Sequence, residues 1–133
     1  MTLVVDASAI NELLLPSFPE RRLAVQTALS GELHWVVPEH FTLEVINSLR
    51  GRLLGRRIDR AQFDAAVGSF GTFDFDVWPT AGLLPRIIEL MNNATPYDAA
   101  YLALAEELAC PLLTADAKLG AVPGIRCRVV VAG

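Results

Sequence analysis

The sequence predicts an α/β fold in which helices cover both faces of a parallel sheet. Short apolar segments, typical of strands buried inside such a sheet, alternate with longer segments that carry the signals of helices. Two of the apolar segments run into an aspartate, Asp6 and Asp116. Open α/β sheets bind ligands at the carboxyl ends of their strands, so these positions are candidates for function. The chain has 133 residues, enough for one core, and we expect a single domain over residues 1–133.

The first half of the chain is predicted to contain two strands and four helices. The apolar segment 2–5 forms the first strand, and Ser8 can cap a short helix that Pro16 stops. Gly31 ends the second helix, and Asp59 can cap the fourth. The predicted strands are residues 2–5 and 34–37, and the predicted helices are residues 8–15, 20–29, 39–54 and 60–67.

The second half is predicted to centre on a buried helix followed by a strand. Thr95 can cap this helix, Pro96 suits its first position, and Asp98 follows three residues after the cap. Residues 99–105 are apolar on every side of the helix, which indicates burial between neighbouring elements. Apolar and acidic residues alternate over 73–77, as in an outer strand with one wet face. The remaining predictions are a helix at 82–91 with Pro85 in its first turn, and strands at 111–114 and 126–131.

Composition narrows the class of protein. The chain is 53 % hydrophobic with a mean hydropathy of +0.40, yet no apolar run approaches the ~18 residues of a membrane helix. No signal peptide opens it, so we expect no membrane association and assign the surplus apolar surface to a protein–protein interface. Cys110 and Cys127 lack metal-ligand spacing, which favours reduced thiols in a cytoplasmic protein.

The basic residues are concentrated in one segment. The net charge of −4 gives no overall attraction to nucleic acid, but five of the eleven Lys and Arg residues lie between Arg50 and Arg60. Such a segment is commonly a solvated face. Beside a cleft it could instead hold the phosphates of an RNA without reading its bases. Arg50, Arg56 and Arg57 are therefore candidate RNA-binding residues.

Four acidic residues are candidates for a shared catalytic metal site: Asp6 and Asp116 after strands, and Glu44 and Asp98 on helices. Phosphodiester hydrolysis needs an activated water and a means to offset the charge that develops on phosphorus, and Mg²⁺ or Mn²⁺ supplies both. These cations prefer carboxylate oxygens. Clustered carboxylates repel each other by roughly 1–4 kcal/mol per close pair, so a cluster without a cation would be a rare accident.

Each acid also has an ordinary structural explanation. Asp6 can be a loop or capping residue, and Asp98 can complete a capping box at the start of its helix. Asp116 can cap the turn that follows it, and Glu44 can be a solvated helix residue. The joint placement of the four, two after strands and two on helices, favours the shared site.

Other polar residues were weighed in the same way. Ser8 and Thr114 flank the expected site; they are cap or strand-end residues by default, and hydrogen-bond the carboxylates if a metal is bound. His34 and His40 are the only histidines, and metal-free RNA cleavage would need both in one site. We interpret them as partly buried structural residues.

These motifs resemble those of PIN-domain ribonucleases, specifically the VapC-type toxins of prokaryotic toxin–antitoxin pairs. The likeness covers the whole chain, with VVDASA at Asp6, LEVINSL around Glu44, PYDAAYLALA at Asp98 and LLTADAKL at Asp116. It implies a doubly wound parallel sheet of about five strands in the order 3-2-1-4-5. It also implies Mg²⁺- or Mn²⁺-dependent endonucleolytic cleavage of RNA by a water nucleophile, a homodimer, and inhibition by a cognate VapB-like antitoxin.

The resemblance also implies a role for each acid. Asp6 and Asp98 correspond to the principal metal ligands, and Asp116 to an additional ligand. Glu44 corresponds to the acid that orients the metal and the attacking water. Two alternatives stay open: a Mg²⁺-binding, receiver-like signalling module on a similar sheet, and a catalytically silent PIN-like interaction domain.

Overall fold

A five-stranded, all-parallel sheet forms the centre of the computed structural model, which describes residues 1–15, 18–31 and 34–132. The strand order is β3-β2-β1-β4-β5, which confirms the predicted α/β class and the order 3-2-1-4-5. The strands are β1 (Thr2–Val5), β2 (His34–Pro38), β3 (Asp76–Trp78), β4 (Leu112–Thr114) and β5 (Val129–Val131).

Helices surround the sheet. They are α1 (Ala7–Leu14), α2 (Pro19–Ser30), α3 (Phe41–Leu54), α4 (Arg60–Phe70), α5 (Leu84–Leu90), α6 (Pro96–Glu107) and α7 (Ala117–Gly120), with a 3₁₀ turn at Ala81–Leu83 before α5. Successive residues of a strand point to opposite faces, and Val4 and Val5 of the central strand are both fully buried. Both faces of β1 are therefore covered, as in a three-layer α/β/α arrangement. None of the described helices is long and apolar enough to cross a bilayer.

The helix α6 is the most deeply packed element. Each of its residues from 99 to 105 is at most 2 % exposed, and α6 contacts β1, β2, β4 and α5. The apolar character of this segment on every side is explained by these contacts. Because Thr95 caps the helix and Pro96 occupies its first turn, α6 begins at the sheet edge where the strands end.

The outer strand lies later in the sequence than predicted. It was expected at 73–77, and the structure forms β3 at Asp76–Trp78, in register with β2 from Val36 onward. The rings of Phe73 and Phe75 instead join an aromatic cluster, where Phe75 lies 4.8 Å from Phe41 and 5.9 Å from Trp35 between ring centroids. The alternating pattern reflects the packing of these rings, which precedes the strand.

Several element ends also differ from the predictions. The first helix begins at Ala7 with Asp6 at its N-cap position, and not at a Ser8 cap, because the Ser8 hydroxyl bonds to the Asp6 side chain. The predicted stop at Pro16 lies outside the described residues. Asp59 does cap α4, in a capping box with Gln62. The fifth strand is limited to Val129–Val131.

Candidate active site

Asp6 lies at the carboxyl end of the central strand and is only 6 % exposed. Ser8 Oγ and Thr114 Oγ1 each donate a hydrogen bond to its Oδ2 atom over 2.6 Å. The two hydroxyl oxygens are 3.1 Å apart. Because β1 and β4 are adjacent parallel strands, the residues that follow them meet at the same edge of the sheet. Both hydroxyls act on Oδ2, so neither occupies Oδ1.

The loop after β4 is tied to the same two hydroxyls. The backbone N–H of Ala115 donates to Ser8 Oγ at 3.0 Å, and that of Asp116 donates to Thr114 Oγ1 at 3.0 Å. Asp116 Oδ1 in turn accepts the N–H of Lys118 at 3.0 Å and caps α7. Asp116 therefore has the structural role of a cap, and its backbone is connected to Asp6 through Thr114.

Glu44 lies in the first turn of α3, with its carboxylate against α6. The Tyr101 hydroxyl donates a hydrogen bond to Glu44 Oε1 over 2.6 Å. His40 Nε2 lies 3.3 Å from the same oxygen, but without the geometry of a hydrogen bond, and this buried nitrogen has no hydrogen-bond partner among the described residues. The His40 ring packs edge-on against Tyr101 and Tyr97, with centroids 5.1 and 5.6 Å away.

Asp98 lies half-buried in the first turn of α6. The helix cap uses its backbone N–H, which donates to Thr95 Oγ1 at 3.2 Å. The cap therefore does not require the Asp98 carboxylate, and the position of this acid at a helix start does not by itself explain why the residue is an aspartate.

Electrostatics shows that the four acids are neighbours. Burial raises the pKa of Asp6 first; hydrogen bonds from Ser8 and Thr114 oppose this shift, and repulsion from Glu44 and Asp98 adds to it. Burial also raises the pKa of Asp98, followed by repulsion from Glu44 and Asp116. Repulsion thus connects Asp6 with Glu44 and Asp98, and Asp98 with Glu44 and Asp116.

Glu44 differs from Asp6 and Asp98 in the direction of its pKa shift. Burial acts to raise its pKa, but the contacts with His40 and Tyr101 outweigh burial and lower it. Burial raises the pKa of Tyr101 well above its ordinary value of 10.0, and the charges of Asp6 and Glu44 add to that shift. The Tyr101 hydroxyl therefore stays protonated, lies close to both acids, and donates to one of them.

A divalent cation would relieve the repulsion among these acids. In the part of the chain that the structure describes, no three His, Cys, Asp or Glu side chains form a group arranged to hold a metal ion. A hydrated Mg²⁺ needs fewer protein ligands than three, because it is usually bound by one or two carboxylates and keeps several waters. Repulsion from neighbouring acids contributes, after burial, to the raised pKa of Asp6 and of Asp98, and the carboxylates present fit such a cation.

The arginine segment begins on α3 and continues past its C-terminal end. Glu44 lies in the first turn of α3, and Leu54, its last residue, comes about 15 Å further along the helix axis at 1.5 Å per residue. Arg56 and Arg57 follow that end, whereas Arg50 lies about 9 Å along the axis from Glu44. All three arginines are exposed, and their role in binding RNA stays a prediction.

Two residues at this site were missed by the sequence interpretation. His40 was taken as a structural residue, and Tyr101 was counted among the apolar residues of a buried helix. The spacing carried a signal for both, because His40 and Glu44 are four residues apart and Asp98 and Tyr101 are three apart, so each pair shares one face of its helix.

Comparison with known proteins gives a consistent family. The profile of the PIN domain matches residues 3–125. The chain is 34 % identical to Ribonuclease VapC9 of Mycobacterium tuberculosis strain H37Rv over 129 residues, which cover 97 % of each chain.

Solved structures of low sequence identity share the fold. The structure superposes with a TM-score of 0.66 and 17 % identity on Mycobacterium tuberculosis VapC20, a sarcin-ricin loop cleaving toxin, over 93 % of this chain and 96 % of that chain. A chain of a toxin-antitoxin complex from Klebsiella pneumoniae gives the same TM-score and identity, with 98 % of both chains covered.

Proposed function

This chain belongs to the PIN-domain family, and we propose on that premise that it is the endoribonuclease toxin of a toxin–antitoxin pair. Relatives that are 34 % identical to this chain, over nearly the whole length of both proteins, are named ribonucleases. The observation that carries the proposal is the mutual repulsion of Asp6, Glu44 and Asp98 at one edge of the sheet. Membership of this family excludes the receiver-like signalling module.

The cofactor that the acids support is Mg²⁺ or Mn²⁺, held by Asp6 and Asp98. When bound, the cation would supply an activated water and charge neutralisation for phosphodiester hydrolysis. Asp6 is suited to hold it because Ser8 and Thr114 fix the carboxylate through Oδ2 alone. Asp98 is suited because its carboxylate is half-buried and not needed for the helix cap.

The other two acids have supporting roles in this proposal. Glu44 is kept ionised by its neighbours, since its pKa is lowered in spite of burial, and it can orient the attacking water through a hydrogen bond. Asp116 is an additional ligand acting at longer range, because one of its oxygens is already engaged in capping α7. The nucleophile is water and not the ribose 2′-hydroxyl, so the reaction forms no 2′,3′-cyclic phosphate.

The partners follow from the same family. A cognate VapB-like antitoxin would bind and inhibit the chain, as expected for a toxin whose structural neighbours include a toxin-antitoxin complex. We further propose that the chain is a homodimer in the cytoplasm. Exposed apolar side chains on α3, α5 and α6, such as Leu43, Leu84 and Tyr97, support burial against another protein surface.

Cleavage of RNA by the purified chain tests the function. We expect cleavage with Mg²⁺ or Mn²⁺, none in excess EDTA, and none by Asp98→Asn at any metal concentration. Asp64→Asn is the matched control, because Asp64 is an exposed aspartate on α4 that pairs with Arg60 and is not one of the four acids, and this variant should cleave like wild type. Full cleavage in EDTA would overturn the metal mechanism, and metal binding without any cleavage would favour the catalytically silent domain.

A further inference from the structure

We propose that Tyr101 is a positioning residue for the reaction, which holds Oε1 of Glu44 with its hydroxyl and thereby presents Oε2 to the metal site. The proposal rests on the endoribonuclease function above and assigns a role to a residue outside the four acids. Tyr101 acts on the metal site through Glu44, the acid to which its hydroxyl donates.

The contact is short, and its donor is buried. Tyr101 is 0 % exposed, and its hydroxyl donates to Glu44 Oε1 over 2.6 Å, in the range of charge-assisted O–H···O⁻ hydrogen bonds. A phenol keeps its proton at neutral pH, so it is a donor under all conditions in which the chain would act.

The packing of Tyr101 against His40 restricts the direction from which its hydroxyl approaches Glu44. Its ring packs edge-on against His40, one turn before Glu44 on α3, and His40 also contacts Tyr97. His40 and Tyr101 both approach Oε1, from α3 and α6 respectively. With Oε1 held by the Tyr101 hydroxyl and the His40 ring close beside it, the rotamer of Glu44 is restricted, and so is the direction of its second oxygen.

Tyr101 also connects two of the acids. It lies three residues after Asp98, so both side chains stand on the same face of α6. The helix that carries one candidate ligand therefore orients the carboxylate of another. A purely structural explanation is that a buried hydroxyl needs an acceptor and Glu44 provides it. The two explanations predict different results once metal binding is measured apart from stability.

The experiment compares Tyr101→Phe with Tyr97→Phe. Both changes delete one phenolic hydroxyl on α6 and keep the ring against His40, but Tyr97 is exposed, and among the described residues its hydroxyl bonds to none of the four acids. We measure the dissociation constant of Mn²⁺ alone, without RNA, then kcat and KM on a short RNA that wild type cleaves, and the thermal midpoint of each variant. Tyr101→Phe should bind Mn²⁺ about 10–100-fold more weakly and lose kcat while KM for RNA stays constant. Tyr97→Phe should match wild type.

A double-mutant cycle separates positioning from folding. If Tyr101 acts through Glu44, the Tyr101→Phe change should have no further effect on Mn²⁺ affinity in a Glu44→Ala background. The same cycle stays informative if Tyr101→Phe lowers the thermal midpoint, because affinity is measured below that temperature.

The outcomes are distinguishable. Equal Mn²⁺ affinity and kcat in wild type and Tyr101→Phe overturn this role and leave the ribonuclease function intact. An effect of Tyr101→Phe that persists in the Glu44→Ala background overturns it as well. If wild type itself neither binds Mn²⁺ nor cleaves RNA, the proposed function fails, and this inference fails with it.

Discussion

Thr114 Oγ1 donates a hydrogen bond to Asp6 Oδ2 over 2.6 Å, and the two residues are 108 positions apart in the sequence. The contact joins the ends of β1 and β4 and is fully buried on the Thr114 side. The same oxygen of Thr114 accepts the backbone N–H of Asp116. One hydroxyl therefore fixes a candidate ligand on β1 and the loop that carries another.

Replacing Thr114 by Val should destabilise the chain and weaken metal binding. The change keeps the shape but removes a donor to Asp6 and an acceptor for the Asp116 N–H, at a cost of about 1–3 kcal/mol in the free energy of unfolding. It should also raise the pKa of Asp6 further, because the hydrogen bond from Thr114 lowers it. Urea unfolding and Mn²⁺ titration measure the two effects.

The control for that variant is Thr27→Val on the exposed side of α2. A surface change of this kind should alter the free energy of unfolding by less than about 0.5 kcal/mol. If Thr114→Val behaves like Thr27→Val in both measurements, the hydroxyl does not support Asp6.

Asp6→Asn should abolish cleavage yet leave the metal-free chain as stable as wild type or more so at neutral pH. The folded-state pKa of Asp6 is raised above 3.8, chiefly by burial, so the folded chain binds this proton more tightly than the unfolded chain. The resulting stabilisation is complete below pH 3.8 and is lost as the pH rises through the raised pKa. The advantage of Asp6→Asn should therefore shrink as the pH is lowered.

Thermal unfolding of both chains in EDTA between pH 4 and pH 8 tests whether the stability advantage of Asp6→Asn shrinks as the pH is lowered. Saturating Mn²⁺ should reverse the order at pH 7.5, because a ligand that binds only the folded state stabilises wild type and not the variant. A variant that is less stable than wild type at pH 7.5 in EDTA would contradict the repulsion among the acids.

Much of the fold was predictable from local signals. The caps at Thr95 and Asp59 and the apolar segment 99–105 each led to an element that the structure contains. The strand order came from the family resemblance, because pairing between strands is not written in any one segment.

The contacts within the site were less predictable than its residues. Asp6 and Asp98 were found because their positions after a strand and at a helix start are local features. The hydrogen bond from Tyr101 to Glu44 joins two helices across 57 residues, and a tyrosine inside an apolar helix carries no mark of its partner. The start of β3 was misplaced for a similar reason, because the rings of Phe73 and Phe75 pack on residues from other elements.

Glu106→Gln should destabilise the chain at neutral pH and have no effect in acid. Glu106 binds Arg86 through both oxygens, at 2.7 and 3.2 Å, and accepts the backbone N–H of Arg126 at 2.8 Å. Burial acts to raise its pKa, but these donors outweigh burial and lower the pKa below 4.5. The stabilisation is present above pH 4.5 and is lost as the pH falls through the lowered folded-state pKa.

Chemical unfolding at pH 7 and near pH 3 measures this dependence, with a loss of about 1–2 kcal/mol expected at pH 7. Glu89→Gln is the matched control, because Glu89 contacts the same Arg86 at 3.0 Å but is 60 % exposed. An exposed pair of this kind contributes less than about 1 kcal/mol. Equal losses in the two variants would show that enclosure of Glu106 does not strengthen its pairing.

Replacing Arg56 and Arg57 together by Ala should weaken RNA binding without changing the chemical step. Both arginines are exposed and follow the C-terminal end of α3, whose last residue lies about 15 Å along the helix axis from Glu44, so we expect them to contact phosphates and not the scissile bond. Each lost contact to a single-stranded RNA should reduce the slope of log affinity against log salt by roughly 0.7. Binding is measured on an Asp98→Asn background, so that the RNA stays intact, and kcat on the cleaving chain.

The control is the double variant Arg22→Ala with Arg128→Ala. It removes the same charge from two exposed arginines that lie outside the arginine segment. A loss of overall charge alone would weaken binding equally in both double variants, whereas direct phosphate contacts would flatten the salt dependence only when Arg56 and Arg57 are replaced. If the slope is unchanged for that pair, the RNA follows another path across the surface, and the arginine segment is a solvated face.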